Sequence, residues 1–230
     1  MPEISLSYSR LSTFEQCPAK FDYLYISKSV MDAGSEASEY GNRVHEVLEL
    51  YGKGELDEST LSLEGKQTLK RWGHLVDKIN SRSGDKLYEF QMAVNERMEP
   101  CDWFSSDAFI RSIADVLVVD GDTAFCLDYK TGKVRDNPTQ LQLFAAMVFW
   151  HYPEVKTVKT SFIWLKYDEV TNAIYHREHL PALWNGLKPR FYDVIETVEL
   201  GVFETKPSGL CPWCAAQDIC PDARTKGRRR

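Results

Sequence analysis

The chain has 230 residues and a formal net charge of −6 at pH 7, with 43% hydrophobic and 27% charged residues. This balance is ordinary for a soluble globular protein, and the negative charge excludes a globally positive surface, so nucleic-acid binding would need local basic patches. No apolar run is long enough to cross a membrane and the N-terminus lacks the apolar core of a secretory signal. We therefore expect a cytoplasmic protein without membrane contact.

The first half of the chain is predicted to be mainly helical. Apolar residues at helical spacing predict helices over residues 40–51 and 66–80. His45 adjoins the apolar face of the first of these, where a lone histidine is more often a packed or surface residue than a ligand. A strand over residues 87–94 follows. Its Glu89 is either an extra carboxylate near a site or, more simply, a solvated side chain.

The next segment is predicted to be a β-hairpin. Two runs of strand-forming residues, 113–119 and 123–129, are separated by Asp120-Gly121, which is a strong signal for a two-residue turn. The predicted pairs are Val119 with Asp122, Leu117 with Ala124, Asp115 with Cys126 and Ile113 with Asp128. A three-residue turn would instead put the two aspartates of the strands on opposite faces and remove any site that they form.

Alternation of side chains gives this hairpin one apolar and one charged face. The apolar face contains Val116, Val118, Phe125, Leu127 and Tyr129. Asp115, Asp128 and Lys130 share the other face. Paired carboxylates can hold a divalent cation, and a lysine beside them can orient a water or offset charge on a phosphate. The alternative is a half-exposed hairpin with ordinary surface charges.

The second half of the chain returns to helix and strand. The segment from Pro138 to His151 is apolar almost all round and predicts a buried helix, with Gln140 as the polar exception near its start. A further hairpin is predicted, with strands over residues 158–167 and 173–180. Residues 204–223 are rich in Pro, Gly, Ser and Cys and predict a small appendage, and residues 224–230 form a basic tail that we expect to be disordered.

Six cysteines in a chain without a signal peptide argue against a disulfide framework and favour metal or cluster ligands. Three of them lie close together, at Cys211, Cys214 and Cys220. Cys101 and Cys126 are predicted to be ordinary residues.

Several motifs together resemble one known family. They are Gly41-x-x-x-His45, Ile113-Ala-Asp115, Asp128-Tyr-Lys130 and Gln140-Leu-x-Leu-Phe144, with Cys17 and the three C-terminal cysteines on either side. In this order they resemble the RecB-like branch of the PD-(D/E)xK nucleases, in its iron-sulfur subgroup. That subgroup includes CRISPR-associated adaptation nucleases and the AddB nuclease domain. Two departures are Ser112, where the family commonly has glycine, and Phe144, where it often has tyrosine.

The resemblance implies roles for individual residues. His45, Asp115, Asp128 and the Tyr129 carbonyl would bind Mg²⁺ or Mn²⁺, Lys130 would position the attacking water, and Gln140 would help to orient DNA or the site. Cys17, Cys211, Cys214 and Cys220 would hold a 4Fe–4S cluster. Four thiolates could equally hold a tetrahedral zinc, and the spacing does not separate the two occupants.

The resemblance also implies a fold and an activity. The expected fold is α/β, a central mixed sheet flanked by helices, in a single nuclease domain over residues 1–230 whose appendage closes onto Cys17. The expected activity is metal-dependent hydrolysis of DNA, as an exonuclease acting on single strands or ends in recombination or repair. The alternatives are a catalytically silent DNA-end-binding or scaffold protein and a zinc-stapled binding module.

Overall fold

The computed structural model describes residues 4–135 and 137–223. In these residues five strands form one sheet in the order β1-β2-β3-β4-β5. The strands are β1 (Asp85–Val94), β2 (Ile110–Asp120), β3 (Thr123–Lys130), β4 (Thr157–Trp164) and β5 (Glu169–His176). Strands β3 and β4 are parallel and the other neighbours are antiparallel, so the sheet is mixed as predicted.

The helices precede the sheet, connect its strands or follow the last strand. They are α1 (Tyr8–Gln16), α2 (Pro18–Phe21) with a π-helical turn (Asp22–Ile26), α3 (Glu36–Lys53), α4 (Leu63–Asn80), α5 (Pro138–His151) and α6 (Leu180–Leu200). Helices α3 and α4 begin before their predicted starts because Ser35 and Ser62 cap them. Each serine side chain accepts a hydrogen bond from the backbone N–H three residues on, a signal that apolar spacing does not report.

Helices cover both faces of the sheet. Helices α3 and α4 pack on the face that carries Val116, Val118 and Tyr129. Helix α5 makes the crossover that parallel strands require, and it is buried on nearly every side, as the sequence predicted. Leu117 and Cys126, whose positions alternate with the first face, are also fully buried. The α/β class with a sheet flanked by helices is confirmed.

The hairpin turn lies one residue further along the chain than predicted. Asp120 pairs with Thr123, so the two turn residues are Gly121 and Asp122. Gly121 has φ +59°, whereas Asp120 and Asp122 have no positive φ. This is the pattern of a type II′ turn, in which glycine must be the first central residue. Each residue of β2 therefore pairs with the β3 residue two positions after its predicted partner. Because this shift is even, each side chain stays on its predicted face.

The described chain divides into two compact units. Residues up to Gly34 and those from Gly186 onward form one, and Ser35–Asn185 form the other. In the first unit, the Ala19 N–H donates to the Glu204 carbonyl at 3.1 Å. The single domain over residues 1–230 stays a prediction, and the tail at 224–230 lies outside the described residues. Within the described ranges, no helix is both long and apolar enough to cross a membrane.

Arg177 fastens the end of α5 to the sheet. Its guanidinium donates to the carbonyls of Phe149, Tyr152 and Val155 at 2.9, 2.5 and 2.6 Å. Because hydrogen bonds from a charged donor are the stronger kind, Arg177→Ala is expected to lower the free energy of unfolding by about 2 kcal/mol. Urea unfolding measures this. The exposed Lys70→Ala should change it by less than about 0.5 kcal/mol, and equal effects would contradict the prediction.

Candidate functional site

The site forms where β2 and β3 stop pairing. Their last regular pair on this side is Val116 with Leu127, and the continued register places Asp115 opposite Asp128. There the Tyr129 N–H donates to Oδ2 of Asp115 at 2.5 Å instead of to a strand carbonyl. Asp115 is only 9% exposed. The carboxylate thus fills the gap between the strands and is fixed by the backbone of β3.

His45 reaches Asp115 from α3. Its Nδ1 lies 3.2 Å from Oδ1 of Asp115, and its ring meets the Tyr129 ring edge-on with centroids 6.0 Å apart. Gly41 lies one turn earlier, and a Cβ there would come within 3.1 Å of the Thr131 hydroxyl. Glycine therefore lets α3 approach the segment that follows β3, which explains the spacing of Gly41 and His45.

Glu89, for which the sequence left open an extra carboxylate near the site or a solvated side chain, lies at the site. It lies opposite Asp115 in the β1–β2 register, between the pairs Tyr88–Val116 and Phe90–Ala114. Its φ of +47° is a left-handed conformation that costs a non-glycine residue about 1 kcal/mol or more. One ligand atom each from His45, Glu89 and Asp115 lie within 4.8 Å of one another, the one such group of three among the described residues.

The carboxylates of the site repel one another in a partly desolvated space. Burial, followed by the charge of Asp115, raises the pKa of Glu89 to about 7. The same two causes, in the same order, raise the pKa of Asp128 above its ordinary value. Burial lowers the pKa of His45, but its hydrogen bond to Asp115 and the nearby carboxylates outweigh burial and raise it. A cation placed here would relieve this crowding of negative charge.

Asp128, Lys130 and Gln140 form a second group beside the first. Lys130 Nζ lies 2.6 Å from Oδ2 of Asp128 and donates to Oε1 of Gln140 at 3.2 Å. The Gln140 amide donates to Oδ1 of Asp128 at 3.2 Å. Oδ2 of Asp128 is buried and its close contact is the Lys130 ammonium. A carboxylate oxygen has two lone pairs, so this one has a second that a cation would accept.

The structure therefore brings the sequence-predicted residues together in two adjacent groups. His45 and Asp115 lie in the first and Asp128, Lys130 and Gln140 in the second. The Asp128 carboxylate does not lie within 4.8 Å of the ligand atoms of both His45 and Asp115. Glu89 is the third residue of that group. The predicted role of the Tyr129 carbonyl stays a prediction.

The predicted cysteine ligands surround one cavity in the other unit. Cys17, Cys211, Cys214 and Cys220 all line a cavity of about 200 Å³. The backbone N–H of Lys206 donates to the Cys17 sulfur at 3.4 Å, and the N–H of Ser208 donates to the Cys211 sulfur at 3.2 Å. Backbone donors of this kind stabilise thiolates. Among the described residues, the sulfurs of no three of these cysteines lie within 4.8 Å of one another.

A mixed sheet with grouped carboxylates, a histidine and a lysine beside it is typical of enzymes that hydrolyse phosphate esters with a divalent cation. The comparison of families agrees with this class. The profile of the PD-(D/E)XK nuclease superfamily matches residues 5–221, and the chain belongs to this superfamily.

Two solved structures are similar to the chain at low sequence identity. The "Putative exonuclease" of Eubacterium rectale is 13% identical, with a TM-score of 0.58, over 99% of this chain and 91% of that one. The protein SSO0001 is also 13% identical, with a TM-score of 0.43, over 98% of this chain and 89% of that one. The first likeness supports the fold. Among curated proteins, none matches the chain.

The raised pKa of Glu89 predicts how stability depends on pH in the cation-free protein. Because the folded state holds this proton more tightly than the unfolded state, the contribution of Glu89 is greatest below about pH 4.5 and is lost as the pH rises through about 7. The parent protein should therefore lose free energy of unfolding on the order of 1 kcal/mol over this pH range, a figure reduced for partial solvent exposure, and Glu89→Gln should not show this loss. Urea unfolding in EDTA, across this pH range, measures it.

The control is Glu46→Gln on the exposed side of α3, which should keep the pH dependence of the parent protein. An unchanged pH dependence in Glu89→Gln would contradict the assigned environment of Glu89.

Proposed function

We propose that this nuclease is a metal-dependent exonuclease that hydrolyses phosphodiester bonds in single-stranded DNA or at DNA ends. The observation that carries the proposal is the convergence of His45, Glu89 and Asp115 within 4.8 Å, next to the ion pair of Asp128 and Lys130. A purely structural hairpin gives no reason for three carboxylates to crowd together in a desolvated space.

The donor set fits a divalent cation. Carboxylate oxygens suit Mg²⁺ and Mn²⁺, and an imidazole among them favours Mn²⁺. His45, Glu89 and Asp115 would hold the cation from their present positions. Asp128, which lies outside that group, would have to move toward it, and the Tyr129 carbonyl would be a further ligand. When bound, such a cation polarises the phosphate and lowers the pKa of a bound water.

The other residues supply positioning and charge. The Lys130 ammonium, partly exposed beside Asp128, is placed to orient the attacking water and to offset negative charge that develops on the phosphate. Its position is restricted by Gln140 and by the Phe162 ring, whose centroid lies 4.8 Å from Nζ. Gln140 hydrogen-bonds to both Asp128 and Lys130, so we assign it the role of holding these two side chains in their positions.

The choice of DNA and of exonuclease action is supported by the resemblance to the RecB-like iron-sulfur branch. The fold extends over nearly the whole chain in the Eubacterium rectale protein, whose name says exonuclease. A catalytically silent end-binding protein is the second candidate, and cleavage assays separate the two.

Asp128→Ala is expected to lower Mn²⁺-dependent digestion of labelled single-stranded DNA by at least about 100-fold. The reason is that the substitution removes a buried ligand and frees Lys130 from its ion pair. Asp122→Ala is the matched control, because Asp122 lies in the turn of the same hairpin and is 59% exposed. It should digest DNA at the rate of the parent protein.

Strands labelled at the 5′ or the 3′ end would give the polarity, and circular DNA would reveal endonuclease action. Undiminished digestion by Asp128→Ala would refute the assigned site. If the parent protein digests no DNA with any divalent cation, the result would favour the catalytically silent end-binding protein.

We assign a 4Fe–4S cluster to the cavity lined by Cys17, Cys211, Cys214 and Cys220. The cavity volume and the two N–H donors to sulfur suit a bulky anionic cluster. A tetrahedral zinc with bonds of about 2.3 Å would need sulfurs about 3.8 Å apart, closer than any three of them lie among the described residues. The cluster would connect the two ends of the chain within one unit, as a structural crosslink.

Anaerobically purified protein is therefore expected to be brown and to contain about four iron atoms per chain. Cys214→Ser should lose the colour and most of the iron because it removes one thiolate ligand. Cys101→Ser, outside the cavity, should keep both. Iron analysis and the visible spectrum measure the outcome. A colourless protein with one zinc per chain would contradict the cluster and favour the zinc-stapled form.

A further inference from the structure

The loop that connects β1 to β2 lies at the active-site end of the sheet. Strand β1 enters it at Val94 and β2 leaves it at Ile110. Because β3 is antiparallel to β2, the C-terminal end of β3, which carries Asp128 and Lys130, lies at this same end. The loop is anchored at its base, since the N–H groups of Cys101 and Phe109 donate to the carbonyls of Ala93 and Val94.

Two adjacent aromatic residues occupy the outer part of this loop. Phe104 is 88% exposed, although burying a phenyl ring is worth about 2 kcal/mol. Trp103 is held in place by Arg111, whose guanidinium lies 5.6 Å from the centre of its ring. Arg111 also donates to the Ser105 carbonyl at 3.3 Å. The aromatic pair is thus displayed on a restrained loop.

Trp103 lies beside Arg111, at the start of a face of β2 that leads to Asp115. Arg111, Ile113 and Asp115 alternate onto one face of the strand, and Ile113 is 38% exposed. At about 3.3 Å per residue, Arg111 lies about 13 Å from Asp115 along the strand. A few nucleotides of an extended strand span such a distance.

The charges of the loop favour contact with bases over contact with phosphates. Its exposed carboxylates are those of Glu96, Glu99, Asp102 and Asp107. They outnumber the two nearby cations, Arg97 and Arg111, so the loop attracts phosphates weakly and its aromatic rings are the groups with which it can hold a strand. A base is uncharged, and its flat face stacks on an aromatic ring whatever its sequence.

We propose that Phe104, with Trp103 beside it, stacks on a base of a single-stranded DNA whose scissile phosphate lies at Asp115 and Asp128. This inference rests on the proposed nuclease function and adds to it the way in which the strand is held. In duplex DNA the base faces are already covered by their neighbours, so the contact selects an unpaired strand.

The test measures binding of a fluorescent thymidine oligonucleotide in the Asp128→Ala background, where cleavage does not interfere. Adding Phe104→Ala should weaken binding by about 5-fold to 100-fold, the range expected for one stacked base. Phe104→Trp should restore it, whereas Phe104→Leu, apolar but without a ring, should not. Ile174→Ala is the control, because Ile174 is 58% exposed on the opposite edge strand.

A second measurement identifies the contacted base. Oligonucleotides with one abasic position, moved along the strand, should show a single position at which the loss of the base weakens binding. At that position Phe104→Ala should cause no further loss.

Binding that is unchanged in Phe104→Ala, or equal in the Trp and Leu variants, would overturn the inference. Independent, additive losses from Phe104→Ala and every abasic position would overturn it too. Cleavage by Phe104→Ala with Asp128 intact tells the two proposals apart. If this variant digests and binds DNA as the parent protein does, the nuclease function stands and only the stacking contact is refuted.

Discussion

The hydrogen bond from the Tyr129 N–H to the Asp115 carboxylate is the contact on which the rest of the site depends. It lies where the regular β2–β3 pairing ends, so a side-chain carboxylate accepts the N–H that backbone pairing no longer satisfies. Because the carboxylate is held there, His45 has a fixed partner and Asp128 has a like charge opposite it. The electrostatics of the site follow from this one hydrogen bond, in which a carboxylate accepts in place of a strand carbonyl.

The sheet then determines how the remaining groups are distributed. Asp128 and Lys130 lie two residues apart on β3 and emerge on one side, where α5 brings Gln140 to both of them. Glu89 arrives from the other neighbour of β2. Three consecutive strands and two helices on opposite faces therefore contribute to one location, and no single segment of the chain contains the site.

The sequence predicted those features that local patterns determine. Asp-Gly between two strand-like runs predicted the hairpin, and the even shift of its turn left Asp115 and Asp128 on the predicted face. The sequence offered Glu89 only as one of two alternatives, because its register against β2 depends on the long loop between the strands, and no local pattern reports that register. Similarly, spacing singles out Cys211, Cys214 and Cys220, whereas Cys17 is far away in the chain and joins them only through the fold.

The left-handed backbone of Glu89 has a consequence for the strand that carries it. Strand β1 lies at an edge of the sheet, so its backbone pairs on one side, with β2, and the unfavourable φ at its middle adds a local conformational cost to that pairing. Cation binding would draw Glu89 to His45 and Asp115 and so offset this backbone cost. Occupancy of the candidate cation site would then be visible as slower amide hydrogen exchange along β1, so exchange in this strand would report whether a cation is bound.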